Sequence, residues 1–442
     1  MSTIQAEEER ESRVATARSV AARVVHRVLG QQVFVSETLD AELSQGELSE
    51  RDRGLATELS YGVIRLHGAL GKRLDALSRH GAARSDMLGR AHLLVAAYQI
   101  LALDRVPAFA AINEAVEVLR QLRGPRVAGF ANAILRRLAS EPRLSLPEAL
   151  EASVEPWLWT ELCNSVGRES ALALLGATGE SARRGLCVRL TARAEPRPAW
   201  VERATPGQLV PGALWLPPSG DLRALEGYRE GAFVVQEEGA QWAALALGAQ
   251  PGERVLDACA GHGQKSSLLA ERVGATGQLW VNDIGPRKLQ RLDQEFGRLG
   301  LPLPERRSVD LAQGVGDLPG GMDRVLVDAP CTGTGTLRRR PEIAQRLNAA
   351  DAGRLAEQSV QLLRNAAQLT RPGGRVSFVV CSVLRAECED VAERAREWLE
   401  PVPFDAPEAR TVVEPEQWQC RLLPQIHGTD AYYVASFRRR PT

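Results

Sequence analysis

Two of the seven cysteines stand beside residues that could give a thiol chemical work. Cys331 closes the stretch DAPC, 328–331, which sets a carboxylate and a thiol three residues apart on a turn stiffened by Pro330. Cys381 ends the apolar run of VVCSVLRAECED, 379–390. A thiolate is a nucleophile, and a carboxylate beside it can orient a substrate. The ordinary role of a buried cysteine is that of a small hydrophobe, which suits Cys163, Cys187 and Cys420. Cys388 lies between Glu387 and Glu389, whose charges disfavour its thiolate.

A second cluster is GHGQKS, 261–266, inside VLDACAGHGQKSSLLAERV. A phosphate-binding loop needs glycine directly before the lysine, and Gln264 separates Gly263 from Lys265. A dinucleotide turn needs a third glycine, where Ser266 stands. What remains is a tight strand-to-helix turn whose glycines let backbone N–H groups approach a ligand. Asp283 follows 26 residues after Asp257, at the end of a second apolar run, and a carboxylate there suits a ribose diol. Asp310, after a third run, could meet an adenine amino group. These acids suit a nucleoside cofactor without a pyrophosphate, such as S-adenosylmethionine. Each acid taken singly could instead cap a turn.

Elements must bring these residues together. From about 236 the chain alternates strand and helix. ERVLDAC, QLWVND, RRSVD, MDRVLVDAP and RVSFVVCS read as strands, with QKSSLLAERV, PRKLQRLDQEFGRLG and DAGRLAEQSVQLLRNAAQLTRPGG as helices. Gly297 or Gly300 would close the second helix and Pro-Gly-Gly the third. This alternation predicts an open, mostly parallel α/β sheet, which binds ligands at the carboxyl ends of its strands. Asp257, Asp283, Asp310, Asp328 and Cys381 all fall at or just past those ends.

The first third reads as all helix. Ala17, Val20, Ala21, Val24 and Val28 keep helical spacing, with Gly30 as the stop. Ser49 and Asp52 form an approximate capping box, LLVAAYQILAL is a central buried helix, and Pro107 precedes another. A Pro- and Glu-rich stretch, 140–157, holds a boundary. A mixed segment to 235 contains a short helix near TELCNSVGRESALALL and a strand at GLCVRL. The expected domains are therefore an all-α domain 1–145, a small mixed α/β linker 146–235 and an α/β catalytic domain 236–442.

Bulk properties narrow the class. With 442 residues the chain is too long for one ordinary core. Net charge is zero, yet 51–140 carries fourteen Lys/Arg against seven Asp/Glu, an excess suited to a phosphate-bearing partner or to a solvated helical face. The cysteines form no CxxC pair and no cluster with histidine, so neither a metal site nor a disulfide framework is expected. The acidic MSTIQAEEERE is no signal peptide, and no apolar run reaches membrane-spanning length. A cytoplasmic, membrane-free monomer is the expectation.

The DAPC motif with a later Cys-Ser at this spacing resembles the bacterial ribosomal RNA cytosine-5 methyltransferases of the RsmB, Fmu or Sun type. The likeness covers nearly the whole chain. RDRGLATELSYGVIR, AAYQILALDRVPAFAAINEAVE and GFANAILRR resemble that family's NusB-like RNA-binding domain. VVQEEGAQWAALALGAQPGERVLDACA, DAPCTGTGTLRRRPEI and LLPQIHGTDAYYVASFRR resemble its class I, Rossmann-like methyltransferase domain. The resemblance implies that Cys381 attacks C6 of a cytosine of 16S ribosomal RNA. Asp328 would contact the ring near N3 and lie against the cofactor. Cys331 would assist loss of the C5 proton and release of Cys381. The loop Cys259, Ala260, Gly261, His262, Gly263, Gln264 and Lys265 would wrap the methionine end of S-adenosylmethionine, with Asp283 on ribose and Asp310 on adenine. Arg338, Arg339 and Arg340 are candidate phosphate contacts.

Two spellings depart from the family. The loop usually reads Ala-Pro-Gly-Gly-Lys-Thr, so Gln264 replaces a glycine and His262 a proline, and Val380 stands where threonine is usual. If position 264 needs positive φ, glutamine costs on the order of 1 kcal/mol there unless Gly261 shifts the turn. His262 could meet the cofactor carboxylate or face solvent. Two other readings stay open on the sequence: an RNA-binding assembly or antitermination factor with an idle methyltransferase domain, and a transfer RNA cytosine-5 methyltransferase.

Overall fold

The computed structural model describes residues 16–45, 48–78, 86–176, 187–191, 194, 197–216 and 222–440. The acidic N-terminal stretch, Arg79, Arg84 and the side chain of Cys187 lie outside them. The chain divides into two compact units, Met1–Thr160 with Arg339–Arg346, and Glu161–Arg338 with Leu347–Thr442.

The first unit is helical. Its elements are α1 Ala17–Gln31, α2 Val35–Ser44, α3 Glu50–Arg65, α4 His67–Leu77, α5 Met87–Ala102, α6 Ala108–Arg123, α7 Pro125–Leu138 and α8 Leu146–Glu151. Their starts are read directly from the sequence. Thr16 forms a capping box with Ser19, Ser49 accepts from the Asp52 N–H, and Asp86 accepts from the Gly89 N–H. Helix α5 is apolar nearly all round and is buried on every side, through Leu93, Leu94, Ala97 and Leu101. Helix α1 does not stop at Gly30. It continues to Gln31, and Gln32 takes the left-handed turn at φ 56°.

Residues 339–346 also belong to this unit. The Arg340 and Arg346 guanidiniums lie over the Phe34 ring, 5.3 and 5.0 Å from its centroid. The Gln345 side chain donates to the Ile64 carbonyl at 2.6 Å, and the Val35 N–H donates to Glu342 Oε1 at 3.4 Å.

The second unit begins with helices. A single helix was expected near 160–175; the chain forms two, α9 Pro156–Val166 (which crosses the unit boundary) and α10 Arg168–Gly176, because Gly167 turns at φ 81° between them. A small antiparallel sheet follows, in the order β2-β3-β1-β4, from β1 Cys187–Leu190, β2 Thr205–Pro206, β3 Ala213–Trp215 and β4 Phe233–Val235. Trp200 and Phe233 meet edge to face in its core.

The large sheet carries the alternation read from the sequence. Its members are β5 Arg254–Asp257, β6 Gln278–Asn282, β7 Glu305–Arg307, β8 Met322–Asp328, β9 Thr370–Val380, β10 Leu399–Pro401, β11 Gln419–Leu422 and β12 Tyr432–Arg439. The order is β10-β12-β9-β8-β5-β6-β7, with β11 beside β12. Strands β5 to β9 pair in parallel, and β10, β11 and β12 pair antiparallel. Helices α11 Glu238–Leu245, α12 Gln264–Val273, α13 Pro286–Leu299, α14 Ala349–Leu369, α15 Glu389–Ala395 and α16 Pro424–His427 complete the unit. Strand residues alternate between the two covered faces. Val255, Leu326 and Val379 pack with Leu292 and Phe296 of α13, while Leu256, Val325, Val327 and Phe378 pack with Val360 and Leu363 of α14. Gly300 caps α13 in the left-handed conformation. Helix α14 stops at Leu369, before Pro-Gly-Gly, which lies inside β9.

One candidate phosphate contact is structural. Arg338 is only 6% exposed and donates to Asp430 Oδ1 at 2.6 Å and to the Gly428 carbonyl at 3.0 Å. Glu237, the side-chain cap of α11, lies 3.6 Å from the same guanidinium and accepts the Asp430 N–H at 3.0 Å. Losing one partner of a buried pair leaves an uncompensated charge. Arg338→Ala should therefore lower stability by roughly 3–5 kcal/mol in urea titrations. An unchanged midpoint, with weakened RNA binding instead, would restore the phosphate role.

Candidate active site

The carboxyl edge of the parallel strands gathers the predicted residues. Asp257 and Asp328 are the last residues of β5 and β8, and Asp283 and Cys381 are the first after β6 and β9. Strand β7 ends at Arg307, so Asp310 sits three residues beyond it rather than at its tip.

The loop from Cys259 to Lys265 is built by two left-handed glycines, Gly261 at φ 56° and Gly263 at φ 84°. A Cβ on Gly263 would come within 2.6 Å of Leu292 Cγ, so this position requires glycine twice over. Gln264 is the first residue of α12 and takes no left-handed angle. The family's second loop glycine is thus dispensable at this position. The Gln264 side chain donates to the Val235 carbonyl at 3.1 Å, and His262 is exposed. Ala260 donates its N–H to the Asn282 carbonyl at 2.8 Å, and Gly261 donates to Asp283 Oδ2 at 3.0 Å. These bonds lock the loop to the end of β6. No side chain caps α12, so its first N–H groups face the loop for an anion.

Each acid has a distinct setting. Asp283 is 6% exposed and also accepts from the Gly285 N–H at 2.7 Å and from Lys288. The exposed Ile284 follows it. Asp310 Oδ1 accepts the Ala312 N–H at 3.1 Å, so it caps a turn while staying partly open. Asp257 is buried; Oδ2 accepts from Ser266 Oγ at 2.6 Å, and no described donor meets Oδ1 with hydrogen-bond geometry. Burial, opposed by that hydroxyl, pushes the Asp257 carboxyl up to about 7.

Lys265 does more than line the loop. Its Nζ lies 2.6 Å from Asp328 Oδ2; burial pulls the ammonium down, but the Asp328 charge and hydrogen bond, with the other negative groups nearby, together hold it above the ordinary lysine value. The Cys259 thiol is pushed up by burial and then by the surrounding carboxylates, so it stays protonated.

The two motif cysteines meet. Cys331 Sγ and Cys381 Sγ are 3.5 Å apart. The hydrogen bond to Cys381, then burial, pushes the Cys331 thiol well above the ordinary cysteine value. Cys388 is fully buried, its thiol is raised by that burial, and its Sγ points at the Ser382 carbonyl, 3.4 Å away. It is inert, as its sequence setting implied.

Sequence reasoning missed three parts. The Lys265–Asp328 pair needs two loops to converge. Ile284, a large apolar side chain 62% exposed beside the ribose candidate, was legible only as a breach of ordinary burial. Glu387, 1% exposed, accepts from Thr332 and Ser382, the neighbours of the two cysteines. Its signal was the run of hydroxyls around both thiols, which calls for a buried acceptor.

Comparison with known proteins places the chain in a family. A family profile described as 16S rRNA methyltransferase RsmB/F matches residues 244–438, and one for the NusB family matches 15–140. Ribosomal RNA small subunit methyltransferase B of Xylella fastidiosa is 34% identical, with 95% of this chain and 96% of that one covered. The chain belongs to the RsmB/F family. The enzyme of the same description from Pseudomonas syringae is 31% identical over 95% of this chain and 96% of its own length. The crystal structure of PH0851 shares this chain's fold, with TM-score 0.79 at 22% identity, covering 96% of this chain and 99% of that one.

The site fits S-adenosylmethionine on its own features. A Cβ at Gly261 would meet nothing within 4 Å, so the turn is open to a ligand. The uncapped α12 amides suit a carboxylate, Asp283 suits a diol and Ile284 a flat base.

The raised Asp257 carboxyl makes a stability prediction. Below about pH 4 both native and unfolded chains hold the proton; between that point and about 7 only the native one does. Stability contributed by this group therefore falls as pH rises through the window, by at most about 1.4 kcal/mol per pH unit. Asp257→Asn should flatten that fall in denaturation curves recorded from pH 4 to 8. An unaltered slope would refute the buried, proton-holding carboxyl.

Proposed function

We propose that the protein is an S-adenosylmethionine-dependent RNA cytosine-5 methyltransferase, acting on a cytosine of 16S ribosomal RNA through a covalent Cys381–C6 bond. The observation that carries this reading is the Cys331–Cys381 pair at 3.5 Å, beside the Lys265–Asp328 ion pair. We further propose that 1–145 binds RNA, that 146–235 is a linker and 236–442 the catalytic domain, and that the protein works as a cytoplasmic monomer.

The chemistry follows from the base. C5 of cytosine is too weak a nucleophile to take a methyl group unaided. The Cys381 thiolate gives its electron pair to C6, the C5–C6 π pair moves onto C5, and the new nucleophile can be methylated. S-adenosylmethionine, held by Cys259 to Lys265 with Asp283 and Asp310, supplies an electrophilic methyl group on sulfonium. A base then takes the C5 proton, the C–H pair re-forms the C5–C6 double bond, and the C6–S pair returns to sulfur as the thiolate. Cys331, beside Cys381, is placed to assist that proton loss and the release. The Asp328 carboxylate can accept from the exocyclic amino group and, once N3 is protonated, from N3–H. Lys265 fixes that carboxylate and adds positive charge where the adduct becomes electron-rich. The target base must leave its stack to reach such a site.

The role of the thiols is open to direct test. Cys381→Ala should abolish methylation and covalent adducts while S-adenosylmethionine still binds. Cys331→Ala should accumulate a protein–RNA adduct that survives denaturing electrophoresis. Normal turnover in Cys381→Ala would overturn the assignment, and so would an adduct formed through Cys331. Absence of saturable S-adenosylmethionine binding would favour the assembly-factor reading, and bisulfite sequencing of RNA from a deletion strain would separate 16S from transfer RNA.

A further inference from the structure

Each thiol loop carries a hydroxyl residue directly after its cysteine, Thr332 after Cys331 and Ser382 after Cys381. Both hydroxyls turn inward to one carboxylate. Glu387 Oε1 accepts the Thr332 N–H at 2.8 Å, and Oε2 accepts from Thr332 Oγ1 and from Ser382 Oγ, each at 2.5 Å. Thr334 extends the set: its Oγ1 lies 3.0 Å from Ser382 Oγ and accepts the Val383 N–H at 3.1 Å. Ser382 Oγ also accepts the Leu384 N–H at 3.1 Å.

The distances admit one consistent arrangement of donors. Thr334 accepts from Val383 and donates to Ser382. Ser382 accepts from Thr334 and Leu384 and donates to Glu387. Thr332 donates both its N–H and its O–H to Glu387. Each hydroxyl thus has an acceptor, and Glu387 receives three donors. Among the described residues no arginine or lysine pairs with Glu387, so hydroxyls and an amide alone hold it. Glu387 is 1% exposed, Thr332 6% and Ser382 0%. A surface cap would not need such burial, and a carboxylate is costly to place here without a purpose.

We infer that Glu387 is a positioning residue that ties the loop after β8 to the loop after β9, and so sets the spacing of Cys331 and Cys381. It touches neither sulfur. It acts through the residue following each, from the short 3-10 turn Arg385–Glu387. Its partners span the two strand ends that deliver the thiols, and it accepts from the residue that directly follows each cysteine. The inference rests on the thiol-pair reading above for its catalytic consequence, but not for its structural content.

The test uses the full-length protein and separates the two. Diamide takes two electrons and two protons from a thiol pair, forming one S–S bond and a hydrazine. Peptide mapping then gives the rate of Cys331–Cys381 bond formation without RNA or methyl donor. In Glu387→Ala that rate should fall at least several-fold, with S-adenosylmethionine affinity retained. Turnover on RNA should fall on the order of a hundredfold, as when reacting groups drift by about 1 Å. Release should suffer more than attack, so covalent adduct should build up, which a merely loosened fold would not cause. Glu387→Gln keeps the volume and one acceptor, and should fall between wild type and alanine. Thr332→Val, which removes one hydroxyl donor, covers the case in which the alanine variant does not fold. Wild-type oxidation rates in folded Glu387→Ala, or in both Glu387→Gln and Thr332→Val, would overturn the inference. The oxidation rates judge the clamp even where the activity assay fails.

Discussion

Adjacent parallel strands are the constraint on which the site depends. Strands β8 and β9 pair in register through Asp328 and Val379, so their carboxyl ends open side by side. The loops that follow would diverge on their own. They are joined by backbone and buried polar bonds: the Gly335 N–H donates to the Cys381 carbonyl at 2.9 Å, and the Ala431 N–H donates to the Gly335 carbonyl at 3.0 Å. A Cβ on Gly335 would lie 2.2 Å from the Ala431 oxygen and 2.9 Å from the Cys381 oxygen, so the approach admits only glycine. The closeness of the thiols is a product of these contacts as much as of the motifs themselves.

Charge is arranged in layers around that point. Asp328, beside the thiols, is matched by Lys265 from the opposite loop. Asp257, deeper and with no described cation at hydrogen-bond distance, answers to burial, which pushes its carboxyl up. Arg338, which the sequence offered to RNA, is spent on Asp430 and fixes the closing hairpin of β11 and β12. Buried charge in this chain mostly serves to hold loops, and the reacting groups sit at the edge of that frame.

Much of this was legible from residue types and spacing. The strand-end acids, the two cysteines and the helical first third follow from periodicity and motif alone, because those signals are local. The mixed segment resisted, since its strands are two to four residues long and gain their order from sheet partners distant in sequence. Gln264 looked strained when matched to a glycine, but its helical angles follow from the left-handed turns having fallen on Gly261 and Gly263. Glu387 was missed for a different reason. An acid in ECED reads as solvated, and only the folded chain brings two hydroxyl loops onto it.

The central claim is that Cys381, and not Cys331, bonds to the base. A 16S ribosomal RNA transcript made with 5-fluorocytidine tests it most directly, because fluorine at C5 blocks the proton loss that frees the enzyme. After incubation with S-adenosylmethionine and digestion, mass spectrometry should find the nucleotide attached to the peptide that contains Cys381. Attachment to the Cys331 peptide, or no covalent complex while the natural transcript is methylated, would contradict the account.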